Sequence, residues 1–266
     1  MRVRANGIRM KYRLEGSASA PVITLSHALA TNLAMWHPQM EILSSRYRVL
    51  RYDCRGHGGT DVPKGPYTLE QMAEDVADLL KVLGIERTHF MGISMGGMIG
   101  QVLALNHSEC LGALILCDTS SRIPPEDKPI WEKRILTAQT KGLETLVEPT
   151  IEQWFSPRFR SSRPGIVHRM RFMIRATPPR GYIGCCHAIM GLNITDRLRG
   201  ISLPTLIVAG EDDPGTPVSA AKTIHEQISG SQLVVLKSAF HLSNIEQADA
   251  FGQVVLDFLS DVDRKS

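Results

Sequence analysis

Six short apolar runs constrain this chain more than any other feature: residues 22–25, 49–52, 89–91, 113–117, 206–209 and 233–236. Most are continuously apolar, where a half-buried strand would alternate. Continuous runs are what parallel strands need, because helices cover both faces of their sheet. Helical patterns fall between the runs. The clearest covers residues 69–83, where Thr68 and Gln71 form a capping box and Met72, Val76, Leu79, Leu80 and Leu83 make one stripe, ended by Gly84. Residues 95–105 and 248–259 repeat the theme. Strand and helix in alternation predict an α/β fold, a mostly parallel sheet of about eight strands with helices on both faces. Asn6-Gly7, between Val3 and the alternating residues 8–14, adds an antiparallel hairpin at the front through a type I′ turn.

The alternation stops between Thr119 and Leu203. Roughly eighty residues pass there without a strand signal. Helical patterns at 130–140 and 143–155 are punctuated by Pro124-Pro125, Pro164-Gly165 and Pro178-Pro179, which read as breakers. The segment leaves the sheet after one strand and returns at the next. The expected organisation is therefore a core of residues 1–119 and 204–266, with residues 120–203 inserted as a helical cap over the strand ends where open α/β sheets bind ligands.

With 266 residues, 43% of them hydrophobic, the chain can bury such a core, and it has no run of about 18 apolar residues that would cross a membrane. The formal net charge of +3 is too slight to propose a nucleic acid or a membrane surface as partner. Five cysteines, odd in number and without a CxxC pair, indicate neither a disulfide framework nor a zinc site. The first seven residues carry charge without an apolar stretch, unlike a secretory signal. The expectation is a cytoplasmic protein whose partner is a small molecule, with no nucleic acid or membrane partner and with homo-oligomers left open.

Gly92-Ile93-Ser94-Met95-Gly96 matches GxSxG and falls between the run at 89–91 and the helix that starts at Met95. In that position the glycines permit a sharp turn that exposes a serine hydroxyl, and Gly97 permits close packing of the helix on the sheet. Ser94 is thus a candidate nucleophile. A serine needs a base to take its proton and the base needs an anion to orient it. Among the nine histidines, His241 follows the last strand and precedes the last helix, where a loop can reach Ser94, whereas His89 lies in a strand, His107 ends a helix and His57 sits in a turn. The acid is expected after another parallel strand and before the histidine. Asp213 is preferred, with Asp212 beside it and Asp118, at the tip of an earlier strand, as alternatives. Oxyanion donors are expected from the backbone N–H of Met95 and of Leu29, the latter in the loop after the first parallel strand.

These residues resemble those of the α/β-hydrolases, and within them the sequence is similar to the 3-oxoadipate enol-lactonases. The superfamily features are the GxSxG turn, Asp213 in Gly-x-x-Asp-x-x-Thr-Pro, and His241. Closer ones are Met35-Trp36, the run from Val49 to Gly58, residues 64–68, Ser94-Met95-Gly96-Gly97, and residues 181–186 with Ala188-Ile189. One departure is the oxyanion loop, His27-Ala28-Leu29-Ala30, where those lactonases tend to carry Asn-Ser-Leu-Gly. The resemblance implies hydrolysis of an ester or lactone through an acyl-enzyme, without metal or organic cofactor. It leaves open a broad carboxylesterase or perhydrolase on the same three residues, and a non-catalytic ligand receptor on the same fold.

Residues 120–200 hold fourteen basic and seven acidic side chains, and seven arginines fall between Arg158 and Arg180 without an intervening Asp, Glu or Lys. Guanidinium groups bind carboxylates through paired hydrogen bonds. Arg171 and Arg175 are the expected substrate-binding cations, and Trp131, Trp154, Phe155, Phe172 and Met173 the expected apolar inner surface of the cap. Such a site would suit a small anionic lactone.

Overall fold

The computed structural model describes residues 1–265. The chain opens with β1 (Arg2–Ala5) and β2 (Ile8–Glu15), an antiparallel pair in which Val3 faces Met10. Asn6 and Gly7 between them have φ of 43° and 78°, the two positive angles a type I′ turn requires. Then come β3 (Val22–Ser26), α1 (His37–Ser44), β4 (Arg48–Tyr52), α2 (Leu69–Val82), β5 (Thr88–Ile93), α3 (Met95–Asn106) and β6 (Leu111–Cys117). Five helices follow without a strand: α4 (Lys128–Lys141), α5 (Val147–Trp154), α6 (Pro157–Ser162), α7 (Pro164–Ala176) and α8 (Pro179–Met190). The sheet resumes with β7 (Thr205–Gly210), α9 (Val218–Gln227) and β8 (Gln232–Leu236), and the described chain ends with α10 (Ser243–Glu246) and α11 (Ala248–Asp263).

The eight strands form one sheet in the order β1-β2-β4-β3-β5-β6-β7-β8. From β4 to β8 every neighbour is parallel, and β2 joins β4 antiparallel. Every residue of β5, β6 and β7 is buried, which is why their sequences do not alternate. The edge strand β8 has Gln232 and Val235 exposed. Helix α2 starts where the Thr68 hydroxyl accepts the Gln71 N–H at 3.1 Å, a cap worth about 1 kcal/mol. It stops at Gly84, whose φ of 67° suits a residue without a side chain.

Two of the breaker prolines in the helical segment also begin helices. Pro164 and Pro179 each occupy the first position of a helix, α7 and α8. There the missing N–H costs nothing and the fixed φ favours the helix. The same residues that punctuate the pattern therefore start new helices, and α7 buries Val167, Met170 and Ile174 along one face. The segment's two ends run side by side, with Ile123 N–H on Leu192 O and Ile194 N–H on Ser121 O, both at 2.9 Å. Where α8 meets the core, Gly181 lies on Gly56 so closely that a Cβ on Gly181 would stand 2.0 Å from the Gly56 carbonyl oxygen.

Candidate active site

Ser94 caps the N-terminus of α3 immediately after β5, with φ 56° and ψ −119°. Such a conformation costs a non-glycine residue about 1–3 kcal/mol and persists only where its surroundings enforce it. Here Ser94 N–H donates to Cys117 O at 2.9 Å, and Thr119 Oγ1 donates to Ser94 O at 2.8 Å. The glycines are demanded by space. A Cβ on Gly92 would lie 2.1 Å from Gly96 O, and one on Gly96 would lie 2.2 Å from Ser26 O. Gly97 packs on Thr119 with room for no side chain.

The turn aims the Ser94 hydroxyl at His241, whose Nε2 stands 2.9 Å from Oγ. On the other side of the ring, Nδ1 is 2.8 Å from Asp213 Oδ2. This geometry assigns the proton of the neutral ring to Nδ1 and leaves Nε2 to accept from Ser94. Asp213 is itself held by Thr216 Oγ1 on Oδ2 at 2.6 Å and by the Gly215 and Thr216 amides on Oδ1 at 2.8 and 3.1 Å. Burial opposes ionisation of Asp213, but the His241 charge and the hydrogen bonds from His241 and Thr216 outweigh it and hold the carboxyl below its ordinary value. Burial likewise opposes protonation of His241, and the Asp213 carboxylate more than offsets it, so the imidazole lies above 6.5. An imidazole so placed can take a proton from Ser94 and then be stabilised as a cation.

Of the three acid candidates, only Asp213 reaches the ring. Asp212 is exposed. Asp118, fully buried at the end of β6 with φ 43°, accepts from the Gly210 amide at 2.7 Å and from Ser243 Oγ at 2.5 Å. Burial, then the nearby Asp213 charge, pushes its carboxyl up to about 7. It therefore braces the loops that carry Asp213 and His241 and makes no hydrogen bond to the imidazole.

The two amides expected as oxyanion donors are those of Met95, next to Ser94 in the chain, and of Leu29, which lines the same cavity as Ser94. That of Met95 opens α3 and has no acceptor within the helix. In the loop after β3, Ala28 N–H donates to Met35 Sδ and Ala30 N–H to His57 Nε2 at 3.0 Å, while the Leu29 amide between them makes no hydrogen bond among the described residues. His27 and His57 shape this turn: His27 Nε2 accepts the Cys54 N–H at 2.9 Å, as His57 Nε2 accepts that of Ala30, whose φ is 60°. Burial pushes His27 down to about 4 and His57 down to about 3, so both remain neutral acceptors. Of the two, only His27 has a signal in the sequence, as a histidine within the candidate oxyanion loop.

Ser94, His241, Leu29, Trp131 and Trp154 line one cavity of about 400 Å³ between the strand ends and the helical segment. Arg171 and Arg175 do not line it, which corrects the expectation for them. Arg171 makes paired hydrogen bonds to Glu148 at 2.8 and 2.9 Å, and Arg175 makes two to Glu144 at 2.8 Å, on the outer surface. The physical reason is two matched ladders: the arginines are four apart on α7, and the glutamates, also four apart, face them from α5 and the turn before it. Phe172 is 67% exposed and Phe155 stacks on Phe159, so neither lies on the cavity wall.

The cations that do face the cavity are Arg122 and Arg134, with Asp127 at the same wall. Arg134 is half-buried and bound only to neutral acceptors, Tyr182 Oη at 3.0 Å, Thr150 Oγ1 at 3.2 Å and Gln153 Oε1 at 3.5 Å. Its guanidinium also lies over Trp131 at 5.3 Å. No carboxylate pairs with it among the described residues. Sequence reasoning passed over Arg134, although it stands three residues after Trp131 and hence on the same helical face.

Residues 21–248 match the family model described as alpha/beta hydrolase fold. The chain is 35% identical to 3-oxoadipate enol-lactonase 2 of Acinetobacter baylyi over 251 residues, covering 94% of this chain and 93% of that protein. It superposes on the crystal structure of the enol-lactonase from Burkholderia xenovorans LB400 with a TM-score of 0.94 and 38% identity, over 98% of this chain and 100% of the other. A thermophilic esterase from Thermogutta terrifontis, solved with malate bound, is 30% identical with a TM-score of 0.92, over 98% of this chain and 99% of the other. No helix among the described residues is long and apolar enough to cross a membrane.

Proposed function

The chain belongs to the α/β-hydrolase fold family, and from that premise we propose that it is a serine hydrolase that opens a small anionic lactone or ester through an acyl-enzyme, with 3-oxoadipate enol-lactone as its substrate. The observation that carries this reading is the hydrogen-bonded line Ser94–His241–Asp213, opening on a cavity whose wall holds Arg134 without a carboxylate partner.

In this mechanism Ser94 Oγ attacks the carbonyl carbon as its proton passes to His241 Nε2, and the Leu29 and Met95 amides receive the oxyanion. One such donor is worth about 3–4 kcal/mol in a well-studied protease. Collapse of the tetrahedral adduct breaks the bond to the ring oxygen, which takes the proton from His241. In a lactone that oxygen stays attached to the acyl group. Water then gives a proton to His241 and attacks the acyl-serine, and Ser94 leaves with the proton. The sum is addition of one water across the ester bond, and the mechanism calls on no metal or organic cofactor.

Residues 120–203 act in this reading as a cap that supplies specificity. Arg134 meets a substrate carboxylate while Trp131 and Trp154 cover the ring. An interaction between charged groups of this kind contributes about 1.5–3 kcal/mol. Arg122 is an exposed second cation at the same wall. Support for the substrate comes from the 35% identity to an enol-lactonase and from this charge. The esterase relative favours a second reading, a generalist esterase on the same three residues.

The two readings separate on a kinetic comparison of 3-oxoadipate enol-lactone with an uncharged short-chain aryl ester. The lactone is expected to show the higher kcat/KM, with the difference shrinking in high salt. Equal values at low salt would leave the generalist esterase.

A further inference from the structure

The loop that presents His241 is tied to the helical segment on both sides of the histidine. Phe240 N–H, just before it, donates to Glu246 Oε2 at 2.9 Å. Leu242 N–H, just after it, donates to Trp154 O at 3.2 Å. The second oxygen of Glu246, Oε1, accepts the Ser156 N–H at 3.1 Å and also the Ser156 hydroxyl. Ser156 Oγ in turn accepts the Phe159 N–H at 3.2 Å and caps α6. One carboxylate therefore joins the amide preceding His241 to the start of α6, while the amide following it is held by the residue that ends α5.

Glu246 works through these donors alone, since no lysine or arginine pairs with it among the described residues. Between Leu242 and Glu246, two residues are held by the core instead. Ser243 bonds Asp118, and Asn244 exchanges hydrogen bonds with Gln39 at 2.6 and 3.0 Å. His241 is thus held between anchors on the helical segment, made through Phe240, Leu242 and Glu246, and anchors on the core, made through Ser243 and Asn244. On the cap side the anchoring residue is Trp154, whose side chain lines the cavity.

We propose that Glu246 is a positioning residue that latches the His241 loop to the 154–156 corner of the cap, so that the base is aligned with Ser94 only while that corner is seated. Cap and base then move as one unit, and a substrate that bears on Trp154 bears on the alignment of His241. This rests on the reading of Ser94 and His241 as nucleophile and base. A misplacement of about 1 Å in a catalytic group can cost on the order of 100-fold in rate, so a partial loosening has a measurable effect on turnover.

The test compares wild type with Glu246→Gln, Ser156→Ala and the double variant, using an aryl ester for kcat and KM and phenylmethylsulfonyl fluoride for the rate of Ser94 sulfonylation. Glu246→Gln keeps the size of the side chain but replaces one acceptor with a donor. It is expected to lower kcat and the sulfonylation rate together, each by about tenfold, with KM changed less than about twofold. Ser156→Ala is expected to lose about threefold, and the double variant no more than Glu246→Gln alone, because both cut one connection. A Glu246→Gln enzyme with unchanged kcat and sulfonylation overturns the proposal. So does a loss confined to KM or to melting temperature. Failure of the serine reading looks different: wild-type protein would hydrolyse the ester while remaining unsulfonylated, and the proposal would fall with that reading whatever the kcat ratio.

Discussion

Two groups of charged side chains, one at the strand ends and one on the outer face of the helical segment between β6 and β7, differ in how their partners are chosen. At the strand ends, Asp213 and His241 occupy loops that follow β7 and β8, and the parallel sheet brings those loops to the same edge as the turn after β5. Chain order and strand position are enough to make them neighbours. On α7, Arg171 and Arg175 have a charge count in their favour and nothing in the sequence that fixes their direction. Helix packing turns them toward Glu148 and Glu144. Topology predicts meetings between residues far apart in sequence, whereas charge density alone predicts no particular meeting.

The largest effects should come from breaking the strand-end set. Ser94→Ala is expected to reduce turnover by about 10⁴- to 10⁶-fold, and Asp213→Asn by about 10³- to 10⁴-fold, since the imidazole then loses its tautomer control. Asp118→Asn keeps one oxygen to accept the Gly210 amide and offers an N–H that the Ser243 hydroxyl oxygen can accept, and is expected to cost less than about tenfold. Steady-state kinetics of the three variants would check this ranking. A larger loss in Asp118→Asn than in Asp213→Asn would move the acid to β6.

A smaller effect distinguishes the cavity arginine from the surface ones. Arg134→Met is expected to raise KM for the anionic lactone by about 10- to 100-fold, the equivalent of one lost charged hydrogen bond, with the aryl ester changed less than about threefold. Arg171→Ala and Arg175→Ala should leave both substrates within about twofold, as befits solvent-exposed ion pairs. If Arg171→Ala weakened the lactone as much as Arg134→Met, the contrast between the two regions would fail.

The pH dependence is expected to follow His241. Its Asp213 partner raises the folded-state value above 6.5, and the base must be neutral to take the Ser94 proton, so kcat/KM should fall with acid through a midpoint above 6.5. The contribution of this group to stability runs the opposite way. It is fully present below 6.5 and lost as pH rises through the folded value. A rate profile with its acid midpoint below 6.5 would mean that Asp213 does not charge-stabilise the ring.

Much of the fold was legible from local pattern. The Asn6-Gly7 turn, the buried runs of β5 to β7 and the Thr68 cap each express a rule that acts within a few residues. Helices α6 to α8 were not, because Pro164 and Pro179 carry the same signal whether they end one helix or begin the next. At the site, the meeting of Ser94, His241 and Asp213 followed from chain order, and the place of Leu29 on the cavity wall from its position after β3. Arg134 needed only the three-residue spacing from Trp131. The roles of His57 and Glu246 depend on backbone amides in distant loops, Ala30 for one and Ser156 for the other, and a side-chain pattern does not record where such amides point.

The central claim is that Ser94 is a nucleophile activated by His241 and Asp213. It is tested most directly by incubating the protein with phenylmethylsulfonyl fluoride and measuring intact mass, peptide-mapped adduct position and residual activity. The account predicts one adduct per chain, on Ser94, with activity lost in proportion and no adduct in Ser94→Ala. Full hydrolytic activity in an unmodified protein, or an adduct on another residue that abolishes turnover, would contradict it.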